Sequence, residues 1–317
     1  MPDPIVILTA MGMAAAVAAA MLGIFGWPWR TGRPTFVEAG WAVGMTAGLF
    51  LGCWYLEIRP HWPPREDLDR LLAVIIPAVL GVELLAAFPK VPRSLVWPLR
   101  FLIVTGVARI LLHGSGYITD LTGPVTSEWS TTQQWLIFSG LAVIETAVWV
   151  GIDLLARRTP GLSVPLCLAV VIVGSAVTVM LSGYATGGQV GLPLAAALVG
   201  STAAAALLPR SSPNTAQLGV PIVGLFSLLV IGRFFGDLTT AHATLLVFAP
   251  LLAWIPELNY PRPIPSWARG LMRLILVGSL VSTVLVHAQR KFAQDFQAPS
   301  APGSKEPSVD DYMNFGK

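Results

Sequence analysis

The sequence predicts an all-α fold, a polytopic integral membrane bundle of about ten transmembrane helices. Three observations predict it. The 317 residues are 54% hydrophobic and 12% charged, against about 25% charged in a soluble domain, and mean hydropathy is +0.69. Apolar runs near the ~20 residues that cross a hydrocarbon core recur along almost the whole chain. Lys and Arg fall in small groups between those runs, as in membrane topology, and are not gathered into a nucleic-acid footprint. Transmembrane strands are excluded because alternating segments of about ten residues are absent. Composition thus names the solvent, a lipid bilayer, without naming an activity.

The spans run approximately over 4–26, 36–57, 71–89, 95–113, 135–156, 164–184, 190–208, 219–237, 241–258 and 268–288. The first lacks a basic leader and is too long for a signal-peptide core, so it reads as a retained helix. Residues 1–289 then form one membrane domain. Residues 290–317 form a polar C-terminal tail rich in Pro, Ser and mixed charge, expected to be flexible. Pro77, Pro98, Pro193 and Pro250 interrupt spans three, four, seven and nine. They do not recur at matching places in the two halves, so an inverted repeat finds no support. Trp27, Trp29, Trp54, Trp62, Trp97, Trp129 and Trp135 lie near span ends, where an aromatic belt would sit.

Basic residues set the orientation. Arg30 and Arg33, Lys90 and Arg93, Arg157 and Arg158, Arg210, and Arg262 and Arg269 follow the odd-numbered spans. This places both termini outside, in a plasma (inner) membrane. Arg59, Arg65 and Arg70 after the second span, and Arg290 and Lys291 in the tail, run against the pattern. The stretch RPHWPPREDLDR reads as a solvated interfacial turn, including Asp67 and Asp69.

Gly40, Gly44, Gly48 and Gly52 recur every four residues on the second span. Glycine at that spacing makes a groove for close helix approach. Its partner is the first span, through Gly12, Ala16 and Ala20, or the seventh, through Ala196, Gly200 and Ala204. Otherwise the seam joins a second copy or another subunit of a membrane complex.

Ionisable groups inside spans are costly and are usually paired or functional. Glu83 and Arg100 lie at matching depth on adjacent spans and are expected to form a structural ion pair. Glu145 lies mid-span with no base at its depth, where burial favours a neutral carboxyl. With Trp149 and Asp153 it shares one helix face. Glu145 and Asp153 are the candidates for proton coupling; the alternative for Glu145 is a hydrogen bond to a neighbouring helix.

Polar rows Thr105–Arg109–His113, Ser279–Thr283–His287 and Gly174–Thr178–Ser182 each occupy one helix face and should turn to protein or water. Arg109, His113, Arg233, Asp237, His242 and His287 could rim an outer vestibule for an anionic solute or a lipid head group. Alternatively Arg233 pairs with Asp237 one turn on, and Arg109 snorkels to the interface. All four histidines, His61 included, fall at the same predicted end.

Phosphate-loop, dinucleotide, GxSxG, HExxH and CxxC motifs are absent, so no cofactor or metal is called for. Cys53 and Cys167 lie in apolar runs and build no disulfide framework. Three functional readings follow: a small-solute permease with proton coupling, a non-catalytic membrane subunit or scaffold, and an outer-face enzyme using His113, Asp237 and His242. The permease is favoured, and the balance is against an enzyme.

Overall fold

The computed structural model describes residues 3–26, 34–118, 128–159, 161–207, 218–258 and 265–297. Trp27, Trp29, Arg30, Arg33, Arg210, Arg262 and the tail from residue 298 lie outside them. The described residues fold as an all-α bundle: α1 Pro4–Phe25, α2 Pro34–Tyr55, α3 Asp67–Ala87, α4 Arg93–Leu111, α5 Thr131–Arg158, α6 Ser163–Leu181, α7 Ala185–Leu207, α8 Gly219–Phe234, α9 Thr240–Glu257 and α10 Ser266–Gln297. Nine of these are long and apolar enough to cross a membrane. The chain is therefore an integral membrane protein of helical type.

The exception is α8, with 16 residues. At 1.5 Å per residue it spans about 24 Å, short of a ~30 Å hydrocarbon core. Its position explains the shortfall. Every residue from Gly219 to Gly232 is buried, and α2 to α7 and α9 pack around it. A helix wrapped in protein need not match the thickness of lipid.

Prolines bend the bundle in different ways. Pro77 cannot donate a backbone hydrogen bond, and the turn before it, Leu71–Ile75, widens to π geometry. Beyond Phe248, α9 tightens to a 3-10 helix through Pro250 and Pro256. Pro98 and Pro193 sit within continuous helices.

The glycine seam of α2 is filled inside the chain, from two sides. A Cβ on Gly44 would lie 2.9 Å from the Ala18 carbonyl oxygen, and one on Gly48 2.5 Å from that of Ala14. At Gly52 it would meet Pro193 of α7 at 2.5 Å, and at Gly40 it would meet Phe25 at 2.5 Å. Gly200 of α7 approaches α1 as closely, 2.1 Å from the Ala15 carbonyl oxygen. Both anticipated partner helices engage, but the row on α1 is corrected. Ala10, Ala14 and Ala18 are buried, whereas Gly12, Ala16 and Ala20 face outward.

The helix α10 continues through Arg290 and Lys291 to Gln297, so the chain is helical beyond the expected start of the tail. Its buried row, Arg273, Val277, Val281, Val284 and Ala288, lies against α6 and α9. Gly174 of α6 admits Val281, whose Cγ1 would stand 2.2 Å from an added Cβ.

Candidate functional site: buried charge and two cavities

Helix α3 carries Glu83 and α4 carries Arg100 into the core, at 0% and 2% exposure. Arg100 donates from Nε and Nη2 to the two Glu83 oxygens, each at 2.9 Å. The first turn of α8 closes over the pair: a Cβ on Gly219 would sit 2.5 Å from the Glu83 carboxyl carbon. Only glycine lets that backbone come so near. The guanidinium lies 5.1 Å from the Trp97 ring and 5.0 Å from the Trp149 ring. Trp97 is partly buried and packs on Trp149 against the core. Trp54, Trp62 and Trp135 are exposed.

The charge chain continues. Asp153 Oδ1 stands 3.9 Å from Arg100 Nη1, and its Oδ2 accepts from Arg157 Nε at 2.8 Å. Two carboxylates and two guanidiniums alternate, so the cluster is formally neutral. Asp153 is thus bound into ion pairs, which is an anchoring geometry and a poor one for a travelling proton.

Glu145 stands apart from that chain. It is 1% exposed, and neither carboxyl oxygen has a hydrogen-bond partner among the described residues. It borders a void of about 10 Å³ lined by Val148, Ile152, Ile222, Leu225, Phe226 and Val247. A water needs roughly 10–15 Å³ by this measure, so the void holds one at most. Trp149 Nε1, Thr146 Oγ1 and Ser227 Oγ are also buried without hydrogen-bond partners among the described residues.

Two walls of that void, Phe226 and Val247, also line a larger crevice of about 360 Å³ between α5, α8 and α9. Its lining is mainly aliphatic and aromatic, with Arg233, Thr240 and Thr244 as the polar exceptions beside Trp129. Arg233 Nε donates to Thr240 Oγ1 at 2.9 Å. Trp129 packs on Phe234 and Tyr117 at 5.5 and 4.9 Å and lines this crevice.

The anticipated vestibule residues reach one end of the bundle but do not form one rim. That end is tied by Tyr184 Oη donating to Asp67 at 2.9 Å, by Arg70 donating to the His113 carbonyl, and by Asp237 N donating to Ser182 O at 2.8 Å. Asp237 and His242 line a separate cavity of about 230 Å³ with Thr178, Ser182 and Lys291. The His242 and His287 rings lie edge to face at 6.0 Å. Arg233 turns instead to the crevice, and Arg109 and His113 are exposed at the end of α4. The enzyme trio is not assembled: His113 does not line the cavity that Asp237 and His242 share. No group of three His, Cys, Asp or Glu suited to a metal occurs among the described residues.

One polar row is corrected as well. On α10, Ser279 and Thr283 face away from the bundle, whereas His287, exposed in the same row, meets the His242 ring of α9. Ser279 Oγ donates to Leu276 O at 2.9 Å and Thr283 Oγ1 to Ser279 O at 2.8 Å. A hydroxyl satisfied by its own helix can face lipid at little cost. The α6 row does face protein, with Thr178 bonded to Gly174 O at 2.7 Å.

Several polar anchors escaped sequence reasoning. Asp67 and Asp69 are buried at the start of α3, which corrects the solvated-turn reading. The Asp69 carboxylate accepts from the backbone N–H groups of His61, Arg65 and Glu66 at 2.9–3.3 Å and so shapes the whole loop. At the opposite end, buried Arg273 pairs with Glu257 and donates to Ser163 Oγ at 2.6 Å. Arg269 lies 3.5 Å from the same Glu257. The pair of aspartates two residues apart is the one visible signal; Arg273 has none beyond being a base inside an apolar run.

The chain matches no protein-family model and no curated protein sequence.

Proposed function

We propose that this chain is a small-solute permease of the plasma membrane, coupled to protons through Glu145, with both termini outside. One observation carries the reading: a buried carboxyl without a hydrogen-bond partner among the described residues borders a water-sized void next to a ligand-sized crevice. An unpaired carboxyl in an apolar interior is costly, and intramembrane carboxyls are a recurrent feature of proton relays. Here its walls are also walls of the crevice, so a change of charge on Glu145 is felt where a solute would lie. The alternation of basic loops supports the orientation. Proteoliposomes with trapped pyranine test the coupling. Among amino acids, sugars and organic anions added singly, at least one should acidify the lumen with the wild type and none with Glu145→Gln. A panel that moves no protons overturns the reading. Single-cysteine labelling of the two termini from each side of the membrane checks the orientation.

A second reading, a non-catalytic subunit of a larger complex, draws on the outward row of α1. Nothing lies within 4 Å of a Cβ added at Gly12 or Gly23. Purification in mild detergent with a stoichiometric partner would favour it.

A further inference from the structure

We propose that the crevice between α5, α8 and α9 binds an anion that carries an apolar tail. The proposal rests on the permease reading and names its substrate class. Its volume of about 360 Å³ falls in the roughly 300–1,000 Å³ range of ligand sites. Leu141 and Ile144 of α5, Leu229 and Val230 of α8, and Phe248 of α9 supply tail-binding walls. Among the described residues Arg233 is the only formal charge in the lining, and no described carboxylate lines the crevice to offset it. Thr240 occupies Nε and sets the guanidinium plane, while the Nη groups make no hydrogen bond among the described residues. A guanidinium edge of this kind matches the paired oxygens of a carboxylate, sulfonate or phosphate.

The placement of the charge adds a second constraint. Arg233 is exposed and lies in the last turn of α8, at the end of the bundle. The crevice extends from there toward the Glu145 void along Phe226 and Val247. A ligand lying in it has its head at the bundle end and its tail inward. A cation meets Arg233 as a like charge, and a fully polar solute leaves the aliphatic walls unpartnered.

Tryptophan quenching tests the site, because Trp129 lines it. The purified full-length protein in non-ionic detergent is titrated with brominated dodecanoate and, separately, with its uncharged methyl ester. The acid should quench saturably, and Trp129→Phe should remove that component. Arg233→Gln should weaken the acid at least about tenfold and Arg233→Lys less, since lysine keeps the charge but loses the fork. Equal affinity for acid and ester, or for wild type and Arg233→Gln, overturns the proposal. Ala243→Leu fills the crevice from α9 without touching the charge and should also abolish quenching. It serves as the independent variant should Arg233→Gln fail to fold, and unchanged quenching there overturns the proposal too. A parallel arm uses brominated phosphatidylglycerol in vesicles. Trp129-dependent quenching there alone assigns the occupant to a bilayer lipid, Trp129-dependent quenching by dodecanoate alone to a free anion, and its absence in both overturns the site. Binding is read without transport, so the two readings fail separately. Binding with no solute-driven proton entry removes the permease and leaves the site. Glu145-dependent proton entry with no binding removes the anion class and leaves the permease.

Discussion

Glu83 of α3 and Arg100 of α4 meet through two parallel 2.9 Å hydrogen bonds, with neither side chain more than 2% exposed. Breaking such a pair from one side strands a buried charge, which costs about 3–5 kcal/mol, while replacing both partners with apolar residues can be neutral. Arg100→Gln should therefore unfold in detergent at a much lower temperature than wild type, and Glu83→Leu with Arg100→Met should recover most of the loss. The Arg157 partner keeps Asp153 compensated in the double variant. Thermal unfolding of the three proteins checks this; a single variant within about 1 kcal/mol of wild type would mean the pair is solvated or dispensable.

Gly219 offers a second handle on the same pair. Its missing Cβ leaves room for the Glu83 carboxyl, so Gly219→Ala should displace that carboxyl from Arg100 and destabilise the protein. The displacement matters only while a carboxyl is there. In a Glu83→Ala background the added methyl should cost clearly less, giving a coupling of roughly 1–3 kcal/mol in a double-mutant cycle. Additive effects would place the strain of Gly219→Ala elsewhere.

The glycines of α2 separate filled space from open space. Gly44→Leu with Gly48→Leu drives side chains into the α1 backbone at Ala18 and Ala14 and into Ala197. Overpacking costs about 1–3 kcal/mol per site where the neighbours can shift, and here they are backbone atoms. The double variant should lose its monodisperse elution after mild heating. Gly12→Leu, with nothing within 4 Å, should elute and melt as wild type. If it too is destabilised, the outward face of α1 is covered by another molecule.

Depth arithmetic was enough to pair Glu83 with Arg100, because two costly charges on adjacent spans have few ways to be satisfied. The α2 seam was legible for a similar reason: four glycines in register have no other use on a helix. Its counterpart on α1 was misplaced by two residues because that helix is alanine on every face, so spacing selects no row. Ser279 and Thr283 misled because a hydroxyl counts as polar in a pattern yet can spend its proton on its own backbone. Asp67 was missed because its partner, Tyr184, is 117 residues away. The crevice is not legible at all, since it is the space left between side chains of α5, α8 and α9.

Glu145 combines burial with isolation, so its amide and aliphatic variants should part company. An unsatisfied buried polar group costs about 1–3 kcal/mol. Glu145→Leu removes that cost beside an apolar void and should raise the unfolding temperature in detergent. Glu145→Gln keeps the shape and an unpartnered polar group, and should melt close to wild type. Destabilisation by Glu145→Leu would reveal a hydrogen-bonding partner for the carboxyl, and with it a structural role.

Tyr184, in the turn between α6 and α7, gives a prediction in pH. Burial, and then the facing Asp67 carboxylate, push its phenol above the ordinary value of 10.0. The folded chain holds this proton more tightly than the unfolded chain does. The stability it supplies is complete below about pH 10 and drains away as pH rises from there through the raised folded value. Tyr184→Phe lacks the bond to Asp67 and should lose about 1–3 kcal/mol near neutral pH, a hydrogen bond to a charged group. It also has no proton to lose, so the gap between the two proteins should narrow at strongly alkaline pH. Unfolding measured in detergent near pH 8 and near pH 11 gives that difference directly, and it cancels the other tyrosines and the lysines, which both proteins share. A gap that stays constant over this range would show that residue 184 titrates alike in the folded and unfolded chain, and that its bond to Asp67 does not hold the α6–α7 turn against the start of α3.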